Sequence, residues 1–315
     1  MSKSHFSFAL CAAALAALVT GAASAQSFPS KPVRLLTTAP ASGSDLVSRL
    51  VASGIQGRLG KPVIVENLGS GVLSVTTTAR AVPDGHVILL QGNSMWVRPF
   101  LEEVDYDTAR DFEPVIHTHS QPGAMAVNPK VPANTLSEFI ALAKSQPGKL
   151  FYATGSTGNL THMAAELFMS MSGTKLERIN YKAGAAAAND VVAGRVEVMF
   201  QTVSSLLPVV KTGKLRALGV TSLKRTQLSP DLPPIADTLP GYEYVSNGGI
   251  FAPAKTPRAI VARLNNEINV ALKQLDAQFN DLGLDAVGGS PEAFRKAIQD
   301  EAAIVGKIVK EQGIK

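Results

Sequence analysis

The chain has 315 residues, 45% of them hydrophobic and 17% charged, with 30 Lys and Arg against 25 Asp and Glu and a single cysteine. That length can bury a full core, and at roughly 100–200 residues per domain it points to two domains rather than a small disulfide-stapled scaffold. The basic excess gives a pI of about 9.3 but is spread along the chain without a Lys/Arg run, which argues against nucleic acid and leaves at most a diffuse field attracting acidic solutes.

Residues 1–25 read as a secretory signal peptide. Lys3 supplies the positive start, residues 6–19 an apolar run, and Ala23-Ser24-Ala25 a small-residue cleavage site before Gln26. A membrane anchor needs roughly 18 or more apolar residues, and this run is shorter. Cys11 lies inside it beside Leu10, too early and in the wrong context for a lipid-modified cysteine. The exported chain is therefore expected to carry no thiol and no disulfide, which fits a bacterial periplasm better than an animal extracellular space. No second hydrophobic span follows, so a soluble mature protein is expected.

Residues 33–37 predict a buried strand. A loop follows, Thr37-Thr38-Ala39-Pro40-Ala41-Ser42-Gly43-Ser44-Asp45, and then Leu46, Val47, Leu50, Val51, Ile55 and Leu59 recur at helical spacing. With a strand at 63–65 this makes a right-handed βαβ unit on a parallel sheet. A strand at 87–90 opens into a third polar turn, Gln91-Gly92-Asn93-Ser94. From Thr135 the pattern restarts: Thr135 and Glu138 form a capping box before an apolar helix. A strand at 150–153 runs into a second Ser/Thr/Gly loop, Thr154-Gly155-Ser156-Thr157-Gly158-Asn159. The Met163, Leu167, Phe168 and Met171 stripe reads as core packing. Val196, Val198 and Phe200 alternate as a strand ending at Gln201-Thr202, a helix begins at Leu206, and 215–220 is a further strand. Residues 229–241 are a surface crossing. The last third is helical, with Thr256-Pro257 and Ser290-Pro291 each placing a cap residue before a helix-starting proline, and both helices are assigned to structure.

Both Ser/Thr/Gly loops stand between a strand and a helix, where first-turn amides and the positive end of the helix dipole favour an anion. Open parallel sheets bind ligands at the carboxyl ends of their strands, and those ends are uncharged here apart from Asp45. Charge-assisted hydrogen bonds are worth about 1.5–3 kcal/mol each and micromolar affinity needs about 8 kcal/mol, so a carboxylate can be held without arginine. The competing reading is ordinary helix capping by Ser44, Asp45, Thr157 and Asn159.

Catalytic readings are weaker. Ser156 sits in a sequence lacking the first Gly of the hydrolase elbow G-x-S-x-G. His117 and His119 are two apart, as on one face of a strand, but have no third metal ligand at a diagnostic spacing. His162 starts a helix beside the second loop, as ligand contact or cap. Gly69-Ser70-Gly71 begins a dinucleotide fingerprint whose third Gly is replaced by Ser74, and no P-loop occurs. Met95 and Trp96 form either an aromatic wall for a ring-bearing acid or the core of the next helix.

Several segments together resemble the Bug family, the TctC-like periplasmic solute receptors of tripartite tricarboxylate transporters. They are Phe28-Pro29-Ser30-Lys31-Pro32-Val33-Arg34, Ala39-Pro40 with Ser42-Gly43-Ser44-Asp45, Pro62-Val63-Ile64-Val65-Glu66-Asn67, Pro83-Asp84-Gly85, Tyr106-Asp107 with Asp111-Phe112, Pro147-Gly148-Lys149-Leu150, Thr161-His162 with Glu166-Leu167-Phe168, Tyr181-Lys182, Gly213-Lys214-Leu215-Arg216-Ala217-Leu218, and 252–269. The resemblance covers nearly the whole chain after residue 25. It implies an α/β, two-domain periplasmic binding protein fold of type II, with parallel-rich sheets flanked by helices and a ligand cleft between domains. Residues 26–122 with 248–315 would form domain 1, and 123–247 domain 2.

The resemblance further implies ligand contacts at Thr38, Ala39, Ser42, Gly43, Ser44, Asn93 and Ser94 from the first domain. From the second it implies Thr154, Gly155, Ser156, Thr157, Asn159, Thr161, Gln201 and Thr202. It implies no catalytic residue, metal or cofactor. The expected partners are a small organic carboxylate and the membrane permease subunits of a tripartite transporter, with the receptor a monomer. The sequence departs from the family at Pro40-Ala41-Ser42-Gly43, at Ala183 after Tyr181-Lys182, and at Gln201, where the family commonly has Asp. Loss of that acidic side chain removes a partner for an ammonium group and is expected to disfavour amino acids. The alternatives are a ligand-sensing receptor for a sensor kinase and a periplasmic hydrolase.

Overall fold

The computed structural model describes residues 28–312 except 41, 70, 156, 157, 182 and 183. The signal-peptide reading, Ser156 and Thr157 lie outside the described residues.

Strand β1 (Val33–Thr37) is apolar on both faces: Leu35 and Leu36 are each fully buried, but in different clusters. Helix α1 (Gly43–Leu59) buries Val47, Val51, Ile55 and Leu59, four residues apart along one side. It stops at Gly60, whose φ of 73° permits the left-handed cap and whose N–H bonds Gln56. Strands β2 (Val63–Asn67) and β3 (Val87–Gly92) pair parallel with β1 on either side. Helix α2 (Gly71–Ala79) lies between β2 and β3, and a short helix α3 (Ser94–Val97) leads into a 3-10 turn at Arg98–Phe100.

Strand β4 (Phe112–Val127) is 16 residues long and belongs to two sheets. Its first part, Phe112 to Pro122, pairs antiparallel with β9 (Val245–Pro253); Gly123 to Val127 pairs antiparallel with β7 (Val198–Thr202) and β8 (Arg216–Val220). The second sheet is completed by β5 (Phe151–Thr154), parallel to β7, and β6 (Glu177–Asn180), parallel to β5. Helices α4 (Leu136–Ser145), α5 (Leu160–Ser172), α6 (Gly184–Ala193) and α7 (Val203–Lys211) accompany it. After β9 come α8 (Arg258–Gln274), α9 (Asp276–Asp281), β10 (Asp285–Ala286) and α10 (Pro291–Gln312). The strand order is β2-β1-β3-β9-β4-β7-β5-β6, with β10 and β8 also on β4. This mixed α/β architecture, sheets flanked by helices, is the expected fold class.

The directions of these strands place the site. Both β3 and β4 run antiparallel to β9, so β3 runs with β4 toward its change of partners, whereas β7 runs against it. The last residue of β3, Gly92, pairs with Gly248, itself opposite His119, and the last residue of β7, Thr202, pairs with Gly123. The carboxyl ends of the parallel strands of both sheets therefore converge on residues 119–123 of β4.

One core cluster runs under both sheets, joining Leu36, Leu89, Trp96, Phe251 and Phe294 to Tyr152, Phe168, Phe200 and Tyr242. A second fills the other face of the first sheet between α1 and α8, and a third the other face of the second sheet.

Three sequence expectations are corrected here. His117 and His119 do not share a face. A register shift separates them, His117 stacks on Phe294 at 5.2 Å, and His119 packs on Phe279 in the opposite cluster, where burial pushes its imidazole down to about 3. Thr256 is not a helix cap: α8 starts after an extended Pro257, and the Thr256 hydroxyl turns back to Pro253 O at 2.7 Å. In the capping box, Thr135 accepts the Glu138 N–H as expected, but the Glu138 carboxylate takes the N–H of Asn134 instead of Thr135.

Candidate functional site: a neutral-donor cleft

The two loops have the same construction. In the first, Ser42 is extended and its hydroxyl accepts the Asp45 N–H, the third amide of α1. In the second, Asn159 is extended and its side-chain oxygen accepts the His162 N–H, the third amide of α5. Each cap takes the third amide, so helix geometry leaves the amides of Gly43 and Ser44, and of Leu160 and Thr161, without an intrahelical partner.

The first loop is held by side chains around it. The Thr38 and Ser42 hydroxyls are 2.9 Å apart, and Asn67, at the end of β2, donates to Thr38 O and to the Asp45 carboxylate, both at 2.9 Å. Asp45, the one charge in this loop, is buried and paired with Arg49 at 3.1 Å. On β3, the Gln91 side chain accepts the Gly92 N–H at 3.0 Å and donates to Gly71 O at 3.2 Å, fastening the start of α2 to the strand end.

In the second loop the Thr161 hydroxyl is saturated. It pairs with the Thr154 hydroxyl at 2.8 Å, accepts the Gly155 N–H at 3.0 Å and donates to Asn159 Oδ1 at 2.8 Å. The Gly155 amide is thus occupied by Thr161. Gly155 also leaves no room for a side chain, since a Cβ there would sit 2.8 Å from Asn159 Nδ2. Gly158 has a φ of +81°, and a Cβ there would lie 2.5 Å from Leu101 Cδ1, so this loop rests on the segment after α3. Beneath the loop, the Tyr152 hydroxyl and His162 approach Glu166 at 2.5 and 3.5 Å. Burial raises the Glu166 carboxyl, but the nearby His162 and the Tyr152 hydroxyl outweigh it and hold the group below its ordinary value.

A cavity of about 210 Å³ opens at these strand ends. Thr154, Gly155, Asn159, Thr161, Tyr181 and Gln201 supply its polar lining and Ala153, Ala187, Met199 and Phe200 its walls, so no lining residue carries a formal charge. Gln201 Oε1 accepts the Thr202 N–H, leaving the NH2 as its remaining donor. The Tyr181 hydroxyl, which donates to Asp190 at 2.8 Å, is pushed up to about 12 by burial and by that carboxylate and stays protonated.

The structure brings together Thr154, Gly155, Asn159, Thr161 and Gln201, with Thr202 next to them. Thr38, Ala39, Ser42, Gly43 and Ser44 form a separate loop on the first sheet. Asn93 is turned inward, its amide 2.9 Å from the buried Glu301 carboxylate, while Ser94 is exposed. Met95 and Trp96 are 1% and 2% exposed, so they are core and not a ligand wall. Asn67, Gln91 and Tyr181 are absent from the ligand contacts expected from the sequence. Asn67 and Tyr181 had a signal, because each sits at or just past the end of a strand neighbouring a predicted loop.

A family model described as tripartite tricarboxylate transporter family receptor (TctC) matches residues 47–314. A protein of the tcbD–tcbE intergenic region of Pseudomonas sp. strain P51 is 33% identical over 306 residues, covering 94% of this chain and 91% of that one. BugT of Bordetella pertussis is 30% identical over 303 residues, covering 93% and 92%. Among solved structures, an R. palustris protein with adipate superposes with a TM-score of 0.74 at 27% identity, covering 91% of this chain and 99% of that one. MatC from Rhodopseudomonas palustris with bound malate gives 0.70 at 26%, covering 90% and 100%. No helix among the described residues is long and apolar enough to cross a membrane.

Proposed function

We propose, because the chain belongs to the tripartite tricarboxylate transporter receptor family, that it captures a small organic carboxylate between two lobes and delivers it to the permease of a tripartite transporter. The family is one of solute-binding receptors, so the chain is not an enzyme and no bond is made or broken. The lobes are residues 26–122 with 248–315, and 123–247, meeting where β4 changes sheets. Export to the periplasm follows from the reading of residues 1–25 as a signal peptide.

The observation that carries this reading is that the carboxyl ends of the parallel strands of both sheets point toward a single strand crossing, and in each sheet one such strand runs into a loop capped on the third amide of its helix. Each loop leaves two first-turn amides available, and four charge-assisted bonds at about 1.5–3 kcal/mol each reach the roughly 8 kcal/mol of a micromolar complex. Each helix dipole adds about 0.3–1 kcal/mol. The lining of the second-sheet cavity is neutral, so hydroxyls and amides take the place of formal cations. Two similar proteins hold adipate and malate, which favours dicarboxylates as the ligand class. Closing the lobes on the anion distinguishes loaded from empty receptor for the permease.

A thermal-shift screen of di- and tricarboxylates, aromatic acids and amino acids tests the reading. An acid present at a hundred times its Kd adds about 2.7 kcal/mol of stability. No response to any carboxylate contradicts it, and a response confined to amino acids contradicts the neutral role given to Gln201. Uptake through a co-expressed permease, against a signalling reporter, separates transport from sensing.

A further inference from the structure

Helix α10 reads from sequence as packing alone, yet it carries Glu301 into the protein beside the crossing. The residue is 8% exposed and its carboxylate is held by neutral donors from two other elements. Asn93 Nδ2 reaches Oε1 at 2.9 Å, and Trp96 Nε1 and Asn247 Nδ2 reach Oε2 at 2.9 and 3.2 Å. Asn93 and Trp96 belong to the turn and short helix α3 that follow β3 at the crossing. Asn247 is on β9, opposite Ser120 of β4, and its carbonyl accepts the Asn93 N–H at 2.9 Å. A single carboxylate thus joins the C-terminal helix, the strand-end turn and the strand pair that connects the two sheets.

Packing makes part of this connection: Phe294, at one end of α10, lies against His117, Trp96 and Phe251. Beside that contact a cavity of about 380 Å³ opens, with His117, Ser120, Val245 and Asn247 on the strand side and Ala297 and Ile304 on the helix side. Where side chains do not interlock along this gap, directional bonds to one charged group help set how the elements sit. Burial pushes the Glu301 carboxyl up while the Asn93, Trp96 and Asn247 donors pull it back.

We infer that Glu301 is a positioning residue of the binding cleft, tying α10 to the β3 turn and to β9 so that the strand ends face one another in the geometry the ligand requires. The inference rests on the carboxylate-receptor reading only for its ligand arm. Glu301 acts through Asn93, Trp96 and Asn247 and does not touch the bound molecule.

Trp96 is the one tryptophan in the chain, which makes its emission a reporter of this carboxylate. The test compares wild type with E301Q, which keeps the shape, removes the charge and turns an NH2 toward N–H donors. In the free proteins, hydrogen exchange of residues 92–97 and 245–249 is expected to rise about tenfold or more in E301Q. Trp96 emission in wild type is expected to change as acid reaches the raised carboxyl. The other titratable groups facing this place are His117 on β4, Glu243 and Tyr244 just before β9 and Asp300 on α10; all are retained in E301Q, so loss of the transition there assigns it to Glu301. Calorimetric titration with adipate and malate is expected to give about tenfold weaker binding in E301Q at an unchanged or higher melting temperature, because a buried charge has been removed. N247A, which removes one donor and keeps the charge, is expected to weaken binding about threefold and serves if E301Q does not fold.

Unchanged exchange and emission in E301Q overturn the inference, and so does altered exchange with unaltered affinity. If wild type binds neither acid, the carboxylate reading loses support, while the exchange and emission arm still decides whether Glu301 holds the crossing.

Discussion

Replacing Thr161 by Val removes one oxygen and keeps the shape, and the structure says what that oxygen does. It accepts from the Gly155 N–H and the Thr154 hydroxyl and donates to Asn159 Oδ1, all within 3.0 Å, in a side chain 8% exposed. Asn159 keeps its bond from the His162 N–H at 3.0 Å, so its loss is partial. The Gly155 amide and the Thr154 hydroxyl are left without an acceptor, at about 1–3 kcal/mol each, offset by roughly 1 kcal/mol for the added methyl. The net cost is about 1–5 kcal/mol, which for a chain of this size lowers Tm on the order of 2–8 °C. Carboxylate affinity is expected to fall about tenfold or more, since each 1.4 kcal/mol of lost loop preorganisation is about a factor of ten. Thermal unfolding and calorimetric titration read the two effects, with T161S, which keeps the oxygen, as the control expected to stay within about 1 kcal/mol of wild type. If T161V melts within about 2 °C of wild type and binds equally well, the hydroxyl network does not shape the loop and the argument fails.

Gly158→Ala places a side chain at φ +81° and 2.5 Å from Leu101 Cδ1; a loss of about 1–3 kcal/mol is expected in thermal unfolding, partly relieved in G158A/L101A. No relief in the double variant would show that the loop does not rest on Leu101. For Glu166 the folded carboxyl is held below its ordinary value, so its contribution to stability is complete above the ordinary carboxylate range and is lost as pH falls through the folded value. Melting curves from pH 7 to 3 should show that acid loss in wild type and a smaller one in E166Q; identical acid profiles would contradict the pairing with His162 and Tyr152. Gln201→Asp can keep the bond to the Thr202 N–H but adds a negative charge to the cavity. At a separation of about 8 Å and an effective dielectric of about 20 this opposes a bound carboxylate by roughly 2 kcal/mol, about thirtyfold in Kd by titration, whereas tighter binding of the same acid would exclude an anion beside residue 201.

Much of the frame was legible because its signals are local. Strand β1 lies where its apolar run predicts, the α1 face follows its 3.6-residue spacing, and both loops begin helices. Strand β4 escaped because Pro114 and Pro122 lie within it, a pattern that argues against a long strand, and its change of sheets depends on partners about 80 and 125 residues away. Helix α2 escaped because Thr76, Thr77 and Thr78 are weak helix formers, and the Ser74, Thr76 and Thr78 hydroxyls turn back to the preceding turn; it is sustained by tertiary packing, with Val75 in the core cluster and Ser74 and Thr78 buried. In the site, loop composition pointed to the right strand ends but not to side-chain direction. Asn93 reads as a ligand contact and turns to Glu301, 208 residues away, a partner no local pattern reveals. The occupied Gly155 amide was equally hidden, because only the folded distance to Thr161 shows that a donor has already been used.

The account depends on negative oxygens held by neutral donors of both loops at once. A crystal structure grown with the tightest-binding acid from the thermal-shift screen tests this most directly. The account predicts carboxylate oxygens within hydrogen-bond distance of first-turn amides or hydroxyls at residues 42–44 and at 154–161, with the two sheets closer across the crossing than in the free protein. A molecule bound away from both loops, or paired chiefly with Lys or Arg side chains, would contradict it.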